Sequence, residues 1–414
     1  MSTSTAKLLL FAGVMGVLVT TAKPTPAQTE TVLYSFTGSP DGNYPSVELV
    51  LDAQGNLYGT TWTGGAYGQG SAFKLTPTGT ETVLHSFPSP VPPSHSRSLS
   101  YRGPWIKDGG SVPSGRLVLD AQGNLYGETE FGGLTSSYGT VFKLDTTGAE
   151  TVLHMFRGGT DDGKNPIPQS GGLVFDAQGN LYGTTWFGGD LACIAPDGCG
   201  TVFKLDTTGA ETVLHMFRGG VDGALPIGLV IDSAGNLYGN TYQGGAYDCG
   251  TVFELAPDGT ETVLYSFAGG PNDGAGPQGN LVRDNEGDLY GTTWAGGLYG
   301  WGTVFKITPA GEETLLYSFA GSPDGERAKG VTIDAQGNIY GTTLEGGAYG
   351  GGTVFEVTQT GAEVLLHSFS GDDGWNPEAS VVLDAQGNLY GTTWYGGVGS
   401  NCSSGCGVVF KVVP

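Results

Sequence analysis

Seven near-copies of one decapeptide, Asp52-Ala-Gln-Gly-Asn-Leu-Tyr-Gly-Thr-Thr61, constrain this chain more than any other feature in it. The copies begin at Asp52, Asp120, Asp176, Asp232, Asp284, Asp334 and Asp384, spaced 68, 56, 56, 52, 50 and 50 residues apart. A regular period near 50 means stacked supersecondary units, each too small to bury its apolar face alone. The 414 residues therefore form one array rather than two or three unlike domains.

Each unit reads as four short strands. In the first copy these are Leu49-Val-Leu-Asp52, then Leu57-Tyr-Gly-Thr-Thr-Trp62, Ser71-Ala-Phe-Lys-Leu75 and Glu81-Thr-Val-Leu-His-Ser-Phe87. Val, Thr, Tyr and Phe fill the runs while Gly, Asn and Pro punctuate them, and no sustained 3.6-residue period appears after residue 27. Four antiparallel strands per repeat is the grammar of a β-propeller. The ends set the blade count. Glu30-Thr-Val-Leu-Tyr-Ser-Phe36 is a fourth strand without its first three, and the last unit stops after its third strand, Gly407-Val-Val-Phe-Lys-Val412. The expected fold is all-β: a seven-bladed propeller of four-stranded antiparallel blades, with the N-terminal strand completing the last blade. Such closure hides two sheet edges that would otherwise invite aggregation.

The combination D-x-x-G-N-L-Y-G-T-T, x-G-G, G-T-V-F-K-L and E-T-V-L-x-S-F resembles the GloVer (Gloeo_Verruco) tandem repeat of exported bacterial proteins, from about Glu30 to Pro414. More distantly, the G-N-L-Y turn is similar to propeller repeats of the NHL and gluconolactonase type. The resemblance implies a scaffold and no particular reaction.

Residues 1–27 read as a signal peptide. Lys7 precedes the apolar run Leu8 to Val19, and small residues offer cleavage after Ala22 or Ala27. The run is short of the roughly 20 residues that span a bilayer, and no second apolar segment follows, so no membrane insertion is expected. The mature part, 28–414, is expected to be secreted or periplasmic and monomeric. It holds 15 basic against 40 acidic residues, a net charge of −25. Such a surface repels phosphate backbones, so nucleic acid is excluded as a partner, and it attracts cations or basic proteins.

In a propeller the turns joining first to second and third to fourth strands share one face. Here that face receives the short, nearly invariant turns. The long, variable connections fall on the other face, where ligands are expected. Four sets of residues there are candidates. The first is the column ahead of each Gly-Gly: Trp62, Glu130, Trp186, Tyr242, Trp294, Leu344 and Trp394. These rings either stack on sugars or pack between blades. The second is an Asp-Gly pair in each blade crossing, at Asp41, Asp108, Asp162, Asp222, Asp273, Asp324 and Asp373. A ring of carboxylates suits Ca²⁺, whereas Asp-Gly is also a common tight turn. No other cofactor is expected. The third is the insertion 88–114, which carries Trp105 and either caps the face or is inert. The fourth is Glu48, Arg116, Asn280, Lys329 and Glu378 beside the inner strands, with Arg283 inside one of them, as a ring around the central opening.

Four of the five histidines, His85, His154, His215 and His367, share a column with Tyr34, Tyr265 and Tyr317 and read as packing positions with a polar tip. Cys193 pairs within its loop with Cys199, and Cys402 with Cys406, as suits an exported protein; a Cys199–Cys249 bond is the rival pairing. No metalloprotease, nucleophile-elbow or phosphate-loop motif is present. The expected function is a non-enzymatic binding module for polysaccharide or protein. The alternative is an extracellular hydrolase, lactonase or lyase using carboxylates on the variable face, with or without Ca²⁺.

Overall fold

The computed structural model describes residues 29–88, 109–133, 138–166, 171–399 and 401–414. The signal-peptide reading, Asp108, Trp105 and most of the insertion lie outside the described residues. Seven four-stranded antiparallel sheets form the ring, and the sheet that closes it runs Thr29–Ser35, Val408–Val413, Leu389–Thr393, Val382–Leu383 from rim to axis. The N-terminal strand therefore completes the last blade, pairing from Thr29 opposite Val413 to Ser35 opposite Val408 with one bulge between Val32 and Tyr34. The inner strand of the second blade begins at Gly110, so the last residues of the insertion are strand. No helix among the described residues is long and apolar enough to cross a membrane.

The recurrent residues build the blades in identifiable ways. In the first turn Asp52 accepts the backbone N–H groups of Gln54 and Asn56, the Asn56 amide and the Tyr58 hydroxyl, at 2.8 to 3.0 Å. Asp176 does the same in the third blade. Although burial pushes the other way, these donors together hold the Asp52 and Asp176 carboxyls below their ordinary value. Replacing Asp176 by Ala strands several donors at once and is expected to cost about 2 kcal/mol in denaturant unfolding.

The Phe that ends each outer strand inserts into the next blade. Phe36 meets Phe73 edge-on at 5.1 Å, and Phe267 meets Phe305 at 4.9 Å. All four are fully buried. The Gly of Leu-Tyr-Gly-Thr-Thr makes room for this ring: a Cβ on Gly291 would lie 2.6 Å from Cζ of Phe305. The second Thr of that motif clasps second strand to third, as where Thr293 Oγ1 meets Thr303 Oγ1 at 2.8 Å.

Candidate functional site

The variable face owes its shape to one backbone position per crossing. Tyr44, Val112, Asn165, Leu225, Gly276, Arg327 and Asn376 all have φ between 50° and 62°. Side-chain-bearing residues rarely occupy this region, so six of the seven adopt it against preference. Each N–H donates to a carbonyl in the preceding blade's second-to-third connection, for example Tyr44 to Cys406 and Arg327 to Trp301, both at 2.9 Å. That bond holds the crossing down on its neighbour. It also aims the side chain at the aromatic column.

The column is thus paired around the mouth. Tyr44 stacks on Trp394 with centroids 5.3 Å apart and planes 7° from parallel. The Arg327 guanidinium lies 4.9 Å over Trp294. Asn165 and Asn376 donate to the carbonyls of Glu130 and Leu344, and Gly276 leaves space for Tyr242. Trp186 and Tyr242 meet edge-on at 6.4 Å. The rings therefore pack between blades and line the face as well; Trp62 is the most open of the four tryptophans, 37% exposed.

The ring is not uniform. At the junction of the last and first blades Trp62, Trp394, Tyr44 and Tyr395 form one cluster, Trp62 to Trp394 at 5.3 Å and Tyr44 to Tyr395 at 5.5 Å. Beside it lies a recess of about 590 Å³ lined by Asp372, Trp375, Asn376, Tyr395 and Ser404. Trp375 and Tyr395 exchange two backbone hydrogen bonds of 2.9 Å, which fixes their separation. The Cys402–Cys406 disulfide brackets Ser404 in the recess wall. Farther out, Tyr247, Tyr299 and Tyr349 repeat on three successive blades, each more than half exposed.

Sequence reasoning missed Tyr44, Trp375 and Tyr395. Tyr44 and Trp375 lie in the crossings, where only the residue at or just before the left-handed position, ahead of Pro45 or Pro377, marks them out.

Other candidates are placed differently. Glu48 and Arg116 form an ion pair at 2.8 Å, and Lys329 and Glu378 another at 2.9 Å, with the Lys329 side chain 2% exposed. These charges near the axis satisfy one another instead of standing open to a ligand, and Lys329 also lies 4.7 Å from the Trp294 ring. Arg283 is separate from this face. It sits one residue before the Asp284 turn, 5.4 Å over Tyr238, in a groove of about 710 Å³ with Asp284, Lys306 and Asp334.

The Asp-Gly carboxylates do not converge on a ring. Each of the six described ones turns back on the outer strand that precedes it, at the rim. Asp41 accepts the Tyr34 hydroxyl, the Thr37 N–H and the Gly42 N–H at 2.8 to 2.9 Å. Asp273 accepts Tyr265, Ala268 and Gly274 likewise. Asp324 is held by Tyr317 and Ala320, and Asp222 by His215 and Arg218. Asp162 and Asp373 follow the same plan with His154 and His367. The crossing starts at the outer strand, so its first carboxylate stays there. A sevenfold Ca²⁺ ring has no geometric basis among the described residues.

Cys193 pairs with Cys199 and Cys402 with Cys406, leaving Cys249 free; the rival Cys199–Cys249 bond does not form.

The sequence profile of the Gloeobacter/Verrucomicrobia repeat matches residues 97–285 and 229–414. No curated protein sequence matches the chain. Among solved structures it is similar to virginiamycin B lyase from Staphylococcus aureus, at 11% identity over 94% of this chain and 99% of that one, with a TM-score of 0.54. It is also similar to the extracellular domain of a protein described as a one component system from B. thetaiotaomicron, at 8% identity over 91% of this chain and 39% of that one, TM-score 0.53. A gluconolactonase from Xanthomonas campestris matches at 15% identity over 70% and 82%, TM-score 0.41. At such identities the first two likenesses show the fold and leave the chemistry open. With the repeat profile matched across most of its length, the chain belongs to the Gloeobacter/Verrucomicrobia repeat family.

Proposed function

We propose that this protein is an exported, non-enzymatic glycan-binding module whose site is the recess between Trp375 and Tyr395 and the adjoining Tyr44–Trp62–Trp394 cluster. The observation that carries the reading is the recess itself. Two aromatic side chains stand at a separation set by backbone hydrogen bonds, with the Asp372 carboxylate and the Asn376 amide beside them. Apolar ring faces flanked by a few fixed polar groups suit a sugar, whose C–H faces stack while its hydroxyls pair. Its volume falls within the range of small-ligand sites, roughly 300–1,000 Å³. Export fits the two disulfides and the leader-like first 27 residues.

The test is a glycan array followed by titration calorimetry on whatever polysaccharide scores. Trp375→Ala and Tyr395→Ala are each expected to weaken binding at least tenfold, the loss of one stacking face. Trp186→Ala, on the far side of the mouth, is expected to leave it unchanged. An array with no ligand, or a ligand indifferent to both recess substitutions, overturns the proposal. Turnover of a lactone or polysaccharide that survives in Trp375→Ala would move the function to an enzyme elsewhere on the ring.

A further inference from the structure

At the rim, each outer strand opens with a Glu that faces the preceding blade. Glu30 approaches His367 and Asp373, and Glu211 approaches His154 and Asp162. In each triplet one imidazole nitrogen and two carboxylate oxygens lie within 4.8 Å of one another. The His Nε2 to Asp oxygen separations are 3.0 Å in the first and 3.3 Å in the second. Two ligands on a tetrahedral zinc ion, with bonds of about 2.0 Å, stand roughly 3.3 Å apart. We propose that these two inter-blade clusters are binding sites for a divalent transition-metal ion, zinc foremost, with Glu30–His367–Asp373 the stronger.

Two observations favour that site over the other, and a third is common to both. Asp373 receives Ser370 N–H, Ser370 Oγ–H and Gly371 N–H on Oδ1, leaving Oδ2 to His367 alone, so one oxygen keeps a free lone pair. Asp162 instead shares Oδ1 between His154 and Gly163. Glu30 and Glu211 each hold a buried carboxylate oxygen with no hydrogen-bond partner. The His367 and Asp373 side chains remain 18% and 20% exposed, which gives an ion a way in and water a fourth coordination position. One nitrogen and two oxygens suit zinc or its first-row neighbours better than Ca²⁺, which wants six to eight oxygens.

The equivalent junctions holding Tyr34, Tyr265 and Tyr317 supply an internal control. There a phenol donates to the Asp at 2.8 to 3.0 Å in place of the imidazole, and the blade is otherwise the same. To bind zinc through Nε2, His367 must first move its Nε2 proton to Nδ1 or to water.

A zinc ion at this site ties the N-terminal strand of the last blade to the sixth blade. Titrating ZnCl₂ into the full chain at about pH 7.5, by calorimetry and by thermal melting, is expected to show saturable binding and a rise in Tm. His367→Tyr, a residue the fold accepts at three equivalent positions, is expected to melt like wild type without zinc. It should bind one ion fewer and lose most of the zinc-dependent rise. His154→Tyr should also lose one ion but keep most of that rise, because its site does not bridge the ring closure. No zinc-dependent change in wild type, an unchanged stoichiometry in the double Tyr variant, or an equal response to CaCl₂ would each overturn the proposal.

Discussion

A chain that starts at Gly38, and so lacks Thr29–Ser35, is expected to lose the whole ring rather than one blade. The missing strand pairs along its length with Val408–Val413, whose Val408, Val409, Phe410 and Val412 are fully buried. Phe36 goes with it, and losing a fully buried Phe costs about 3–5 kcal/mol. Half-buried Val32, Leu33 and Tyr34 add roughly 1–2 kcal/mol each. The sum approaches the 5–15 kcal/mol that holds a typical domain together. An open array also leaves a bare edge on the last blade, which promotes association. We expect the truncated chain to be aggregated or unfolded by circular dichroism, and a synthetic peptide spanning 29–38 to restore a cooperative melt in trans. A truncated monomer that melts within about 5 °C of the full chain would show that closure is incidental.

Thermal stability is expected to be higher near pH 5 than near pH 8, measured with a chelator present. Burial pushes the carboxyls of Glu81, Glu150, Glu261, Glu313 and Glu363 up to about 7. Beyond burial, an aspartate of the preceding crossing raises four of them: Asp41, Asp222, Asp273 and Asp324 act on Glu81, Glu261, Glu313 and Glu363. His85 faces Glu150 at 3.6 Å, His215 interacts electrostatically with Glu261, and Tyr34, Tyr265 and Tyr317 do so with Glu81, Glu313 and Glu363. A carboxyl raised in the folded state binds more protons there than when unfolded. Its stabilisation is therefore complete below the unfolded value near 4.5 and is lost as pH rises through about 7.

His85 and His367, lowered by burial, act in the opposite sense, but they are outnumbered, since burial also pushes Glu30 up to about 7 and Glu128 up to about 8. The turn aspartates such as Asp52, also lowered, lose their contribution only below their ordinary range. These glutamates are partly open to water, so each is discounted to about 0.5–1 kcal/mol, and the set to roughly 3–4 kcal/mol. That corresponds to roughly 4–5 °C in Tm for a chain of this size. Glu313→Gln and Glu363→Gln should each flatten the profile. A Tm that climbs steadily from pH 5 to 8 would remove these glutamates from the account.

The array, its seven units and the ring closure were legible from the repeat and its two incomplete ends, and both disulfides from short spacings, although only the structure excluded the rival Cys199–Cys249 bond. Asp52, Asn56, Gly59 and Tyr58 do their work within a few residues or against an identical neighbour, so repetition exposes them. The binding face was legible only as a face. Trp62, Trp186, Trp294 and Trp394 stood out as a column, while Tyr44 and Trp375 did not, because a left-handed backbone bonded to another blade aims Tyr44 and two backbone bonds to Tyr395 place Trp375. Arg283 looked like a lining residue by substitution, yet its place beside a turn carries it to the opposite side.

The rim shows the division most sharply. Glu150 and His154 lie four residues apart on one strand, a spacing that in a regular strand puts both on the same face. A one-residue bulge between Val152 and His154 interrupts that alternation. Glu150 consequently meets His85 of the blade before, while His154 meets Asp162 and Glu211 of the blade after. The order of residues along the chain determined the number of blades and what each carries. Which carboxylate meets which imidazole was decided by packing between blades, since that pairing exists only where two strands distant in sequence come side by side.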